Sequence, residues 1–178
     1  MTDWADAIRR MLAAQRQLRE NDREHLWRYE QPPPPASREL LGLVQAQRGV
    51  TLDSQYAELL VRAGGWPAFM QDVDLFGTPD LLGEPFDEAV QLLSTLEPET
   101  VDASALDVAS CVPMAASRTG IDLFVMPRAD GSTQTPVIWL AGLEVERYIS
   151  FEEFFQAMIE ANLGEAAALR ERQQDTEG

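Results

Sequence analysis

Gly64-Gly65-Trp66-Pro67-Ala68-Phe69, followed by Asp72-Val73-Asp74-Leu75-Phe76-Gly77, is the stretch on which the fold turns. Helical spacing precedes it and strand alternation follows it. Paired glycines close a helix, because glycine enters the left-handed region without a Cβ penalty. Trp66, standing before Pro67, is held extended. Val73 and Leu75, interleaved with Asp72 and Asp74, predict a short strand with one buried face. The segment reads as a helix-to-sheet corner with an indole in its bend. Trp66 is either a core anchor or part of a binding surface.

Upstream, two short helices lead into the corner. Ser37 caps the first, with Leu40, Leu41 and Val44 on one face and Gly49 at its end. Asp53 or Ser54 caps the second, with Tyr56, Leu59, Leu60 and Ala63 inward. Before them, Pro32-Pro33-Pro34-Pro35 reads as an extended spacer and a domain edge. Residues 3–30 predict one helix, from the spacing of Trp4, Ile8, Met11, Leu12, Leu18 and Leu26. The organisation expected is an N-terminal helical extension (1–31), a main domain (32–164) and a helical or disordered acidic tail (165–178).

Downstream, Thr78-Pro79-Asp80 and Gly83-Glu84-Pro85 read as turns, 86–94 as a helix and 97–107 as a loop with one helical turn. From 108 the period changes to that of strands. Val112-Pro113-Met114, Ile121 to Met126, Val137 to Leu140 and Glu144 to Ile149 are the candidates, with Asp130-Gly131 as a tight connection. Short links imply antiparallel pairing. Ser150-Phe151-Glu152-Glu153 opens a last helix with a capping box, and Gly164 marks its expected end. The fold class is α+β: a mostly antiparallel sheet with helices packed around it.

The 178 residues carry 30 acids against 14 basic residues, all arginine, for a net charge of −16. Residues 1–30 are balanced, with six of each sign. From Asp72 to Asp107 there are ten acids and no basic residue. Such a surface repels phosphate backbones, which argues against nucleic acid and favours a basic partner. Acidity also serves solubility. No apolar run approaches a membrane span. The start, Met1-Thr2-Asp3-Trp4, lacks the basic and apolar parts of a secretion signal, so a cytoplasmic location and no membrane association are expected.

Chemistry has few places to reside. One cysteine, Cys111, permits no internal disulfide, and a catalytic thiol would want a histidine. The single histidine, His25, sits among Arg23, Glu24 and Arg28 as a surface residue does. Asp72 and Asp74, two apart on a strand, point to one face. They are the best carboxylate pair for a cation or for acid–base work, and nothing else supports either role. The glycines match no phosphate loop or dinucleotide fingerprint. The expectation is a non-catalytic protein-binding module with no cofactor and no metal.

Pro35-Ala36-Ser37, Glu39-Leu40, Gly49-Val50, Tyr56-Ala57-Glu58-Leu59-Leu60 and the Gly64–Phe69 corner together resemble the opening of the SUKH superfamily, the Smi/Knr-like domains. Gly120-Ile121-Asp122-Leu123-Phe124, Val137-Ile138-Trp139 and Ser150-Phe151-Glu152-Glu153-Phe154-Phe155 are similar to its ending. The resemblance spans residues 32–163. It departs at Leu52-Asp53, where the family has Leu-Pro, and at Gly64, where it has Asn. The resemblance implies an α+β binding domain. Its bacterial members are immunity proteins, each blocking a toxin domain, often a nuclease, of its own cell; fungal members are regulatory adaptors.

Two functions follow as expectations. One is an immunity protein that covers the basic site of a cognate secreted toxin. Its contact set would be Trp66, Asp72, Asp74, Asp80, Glu84, Asp87 and Glu88, with Trp139 as a further anchor if exposed. The other is an adaptor that joins an assembly through the N-terminal helix and Trp27 and Tyr29.

Overall fold

The computed structural model describes residues 1–128 and 134–176. The expected Asp130-Gly131 connection lies outside them. Among the described residues the chain is α+β, with an open six-stranded antiparallel sheet and helices around it, as expected.

Helix α1 (Trp4–Asn21) is capped by Asp3, whose side chain accepts the Asp6 N–H. Trp4, Ala7, Met11, Ala14 and Leu18 form its buried stripe. The helix does not reach residue 30. It stops because the Asp22 carboxylate offers the following backbone a competing arrangement. Asp22 accepts from Leu26 N–H at 2.9 Å, Trp27 N–H at 3.1 Å and the Tyr29 hydroxyl at 2.8 Å. His25 turns the chain at φ +54°.

The four prolines then lie along the corner that opened the sequence reading. Pro33 O accepts from Gly64 N–H at 3.0 Å, and Ala36 N–H donates to Leu60 O at 2.9 Å. A Cβ on Gly64 would stand 2.1 Å from Pro34 O. Helix α2 (Arg38–Arg48) is capped by Ser37 and closed by Gly49 at φ +63°. Helix α3 (Ser54–Leu60) is capped by Asp53.

The corner itself is a strand. β1 (Trp66–Met70) pairs with β2 (Val73–Leu75), with Trp66 opposite Leu75. The chain then leaves the sheet for α4 (Thr78–Leu82), α5 (Glu84–Ser94) and α6 (Pro98–Ala103). Residues 78–80, expected as a turn, open α4 because the Asp80 carboxylate folds back onto Gly77 N–H at 2.8 Å. Strands β3 (Val112–Ser117), β4 (Leu123–Met126), β5 (Val137–Leu140) and β6 (Glu144–Tyr148) complete a meander whose spatial order is its chain order.

Helix α7 (Phe151–Thr176) starts where expected. Ser150 Oγ accepts the Glu153 N–H, and the Glu153 carboxylate reaches Ile149 N–H. It does not end at Gly164, and the tail after 164 is helical to Thr176. Ala166 and Leu169 are buried against Leu18, Trp27 and Tyr29, so tertiary packing carries the helix through its glycine.

Phe151, Phe154 and Phe155 of α7 sit at the centre of the core. Their rings meet Trp4, Tyr56, Trp66, Phe69, Phe124 and Tyr148. Phe124 faces α7, whereas its neighbour Leu123 lines a cavity with Leu92 of α5. Successive strand residues point to opposite faces, so the sheet lies between α7 and α5. The apolar stripe of α1 from Trp4 to Ala14 belongs to this same core.

Candidate protein-binding surface

The acidic run begins in the β1–β2 hairpin. Gln71, at φ +55°, makes the turn, so Asp72 lies in the turn and only Asp74 in the strand. The expectation that both carboxylates share one strand face is corrected accordingly. Asp72 Oδ2 accepts from Thr119 Oγ1 at 3.1 Å.

Asp74 is claimed from three sides. It accepts from Ala68 N–H at 2.6 Å, Arg28 Nη2 at 2.8 Å and Arg118 Nε at 2.9 Å. Both arginines also face Glu30. Burial works to raise the Asp74 carboxyl, but hydrogen bonds from Arg118, Ala68 and Arg28 together hold it below its ordinary value. Asp74 therefore fastens three chain segments together: the loop after α1, the β1–β2 hairpin and the turn after β3.

Asp80 differs. Its carboxylate accepts the Gly77 N–H at 2.8 Å. It is half-buried, and burial together with the nearby Asp74 charge pushes its pKa up. On α5, Glu84, Asp87 and Glu88 are exposed. Glu84 and Asp87 occupy the first turn, where the helix dipole favours negative charge. Asp87 pairs with Arg48 at 2.6 Å. Arg48 also donates to Leu81 O and Gly83 O and lies 4.6 Å over the Phe86 ring. Asp87 is thus part of the joint between α2 and the α4–α5 pair. Glu84 and Glu88 enter no ion pair among the described residues.

A cleft of about 500 Å³ opens between α4–α5 and the sheet. Asp74, Asp80 and Glu88 line it, with Phe76, Leu92 and Arg118. The fold thus gathers three of the seven expected contact residues around one opening and leaves Glu84 and Asp87 on the adjoining helix.

Trp66 does not belong to that set. It is fully buried and packs on Phe155, so its place among the contacts is corrected to the core. Its indole N–H is buried without a hydrogen-bond partner among the described residues. Trp139 is half-buried, stacked on Phe124, with its indole N–H donated to Asp122 at 2.8 Å.

Chemically, the exposed carboxylates of this face can accept hydrogen bonds and hold positive charge. Cys111 is buried, and burial with the Asp107 charge pushes its thiol up to about 11, away from nucleophilic use. Among the described residues, no group of three or more His, Cys, Asp or Glu is placed to hold a metal ion. No helix there is long and apolar enough to cross a membrane. The sequence reading missed Arg28, Arg48 and Arg118, which decide which carboxylates are occupied. Nothing in the acidic run itself signals them, because all three come from other parts of the chain.

No model of a known protein family matches the chain, and no curated protein matches it.

Proposed function

We propose that this chain is a non-catalytic protein-binding module of the immunity type, which blocks a cognate toxin domain by covering its basic surface. The observation that carries the reading is the α4–α5 face. Glu84 and Glu88 are exposed without an ion pair among the described residues, and Asp80, beside the cleft, is raised by burial and by Asp74. A cation from a partner would relieve all three. Nuclease sites are electropositive because they hold phosphate, so carboxylates compete for the same field and speed encounter. The resemblance to Smi/Knr-like domains points the same way. Asp74 and Asp87, being internal clamps, leave the contact set; Asp80, Glu84 and Glu88 are its centre.

The adaptor reading has less to rest on. The apolar stripe of α1 is buried within this chain, and Trp27 and Tyr29 pack against Leu18 and α7.

The test is association with a toxin domain encoded beside this chain, followed by stopped flow at several salt concentrations. The triple variant Asp80→Asn, Glu84→Gln, Glu88→Gln is expected to associate about tenfold more slowly at low salt, with a flatter salt dependence. An unchanged association rate would refute this contact surface.

A further inference from the structure

The two edges of the sheet are finished differently. On β1, the carbonyl oxygens of Ala68 and Phe69 are covered. Gln15 Nε2 of α1 donates to them at 3.0 and 3.1 Å, and Asn162 Nδ2 of α7 adds 2.8 Å to Phe69 O. On β6 no such side-chain cover exists among the described residues: it pairs with β5 on one side, with a register irregularity at Val145, and no further strand there pairs with it. An edge strand presents unpaired N–H and C=O groups to any extended chain beside it.

A trough of about 720 Å³ runs between β6 and α6. Its walls carry Glu99, Thr100 and Ala103 on one side and Leu143, Val145 and Glu146 on the other. It is held open by Arg147 Nη2 on Ser104 O at 2.7 Å and Thr100 Oγ1 on Gly142 O at 3.1 Å. Leu143, Val145 and Ile149, along the same edge, are 61%, 47% and 63% exposed.

We infer that this edge is a strand-addition site for an extended segment of another protein, one that alternates basic and apolar residues. The occupant follows from charge. A second copy does not fit. Antiparallel self-pairing about a two-fold axis at residues 145 to 147, the registers that pair most of β6, puts Glu146 on its own image, Glu144 on Glu146, or Arg147 on its own image, and like charges directly opposite are unfavourable. Glu144 is already matched by Arg147 at 2.8 Å, whereas Glu99 enters no ion pair among the described residues and Glu146 holds only the Tyr148 hydroxyl. Lys or Arg on the incoming strand meets Glu146 on the face it shares with Tyr148, and the apolar residues between them meet Leu143 and Val145 on the trough side. Backbone bonds supply affinity and the side chains supply choice.

The test is titration of the 15N-labelled full chain with acetyl-Lys-Val-Lys-Val-Lys-Val-amide and with its Glu-for-Lys counterpart. Amide shifts confined to residues 99–105 and 143–149, with slowed exchange in β6, are expected. The acidic peptide is expected to bind at least about tenfold more weakly, and Glu146→Lys to cut that preference to about threefold or less. Three results would overturn the inference: shifts centred on the α4–α5 face, no shifts at all, or self-association through residues 143–149. The toxin reading fails on a different variant and a different rate, so the two failures are distinguishable.

Discussion

Gly77 lies against Gly64 so closely that a Cβ on Gly77 would stand 2.0 Å from the Gly64 carbonyl oxygen. Gly64 in turn leaves no room for a Cβ beneath Pro34. Three backbones therefore stack at the corner: the proline segment, the end of the α3 turn and the exit from β2. Gly77→Ala and Gly64→Ala each require two backbones to separate, a loss expected at about 3 kcal/mol in urea unfolding. Gly42→Ala and Gly164→Ala, at helical positions with open space, are the controls. Each is expected to gain roughly 0.5–1 kcal/mol.

Trp66 fills the core without using its N–H. Trp66→Phe loses no hydrogen bond, so a cost of about 1–2 kcal/mol is expected, arising from lost volume alone. Trp66→Ala is expected to cost about 3–5 kcal/mol. A thermal-unfolding series on the two variants checks the gap between them. A Trp66→Phe cost of about 3 kcal/mol or more would mean that the indole N–H has a partner.

Asp74 and Asp80 pull stability in opposite directions with pH. The Asp74 carboxyl titrates below its unfolded value, so its contribution is present above the unfolded pKa and fades as pH falls through the folded one. The Asp80 carboxyl titrates above its unfolded value, so its charge costs stability at neutral pH, and the cost is relieved as pH falls through the folded pKa. Asp74→Asn is expected to lose about 1.5–3 kcal/mol at pH 7, with the loss shrinking below about pH 4. Asp80→Asn keeps an oxygen for Gly77 N–H and is expected to leave Tm at pH 7 unchanged or higher. Melting curves from pH 3 to pH 7 separate the two.

Asp22 holds the loop after α1 by three hydrogen bonds. Burial first, and the Asp22 carboxylate second, lift the Tyr29 phenol above its ordinary range. Asp22→Asn is expected to lower that pKa and to cost about 2 kcal/mol. Ultraviolet titration of the phenols, compared with Tyr29→Phe, assigns the change to Tyr29.

Local signals made parts of this fold legible. Ser37, Asp53 and Ser150 each cap the helix they announce, and the strands from β2 onward show the alternation or apolar runs that mark them. Where the reading failed, distant contacts decide. β1 is buried along nearly its whole length and contains Pro67, so it shows no alternation; its partner across the hairpin defines it. α1 ends where Asp22 captures N–H groups beyond it. α7 crosses Gly164 because Leu18 and Trp27 wait on the other side. The candidate surface divides in the same way. The acidic run is plain in the sequence, but Arg28, Arg48 and Arg118 reach it from elsewhere, and only the folded chain shows that Asp74 and Asp87 are spoken for.

The amides of Gln15 and Asn162 meet on one oxygen, that of Phe69. One comes from the first helix and the other from the last, so the earliest strand of the sheet is finished only when the final helix is present. During synthesis the meander emerges from the ribosome with Phe69, Phe124 and Tyr148 bare on one face until residues 151–162 have left the exit tunnel. An apolar sheet face left open in this way is the condition under which a growing chain is prone to aggregate. A product cut off between residues 150 and 162 is a sticky fragment with an uncovered sheet, not a smaller working module.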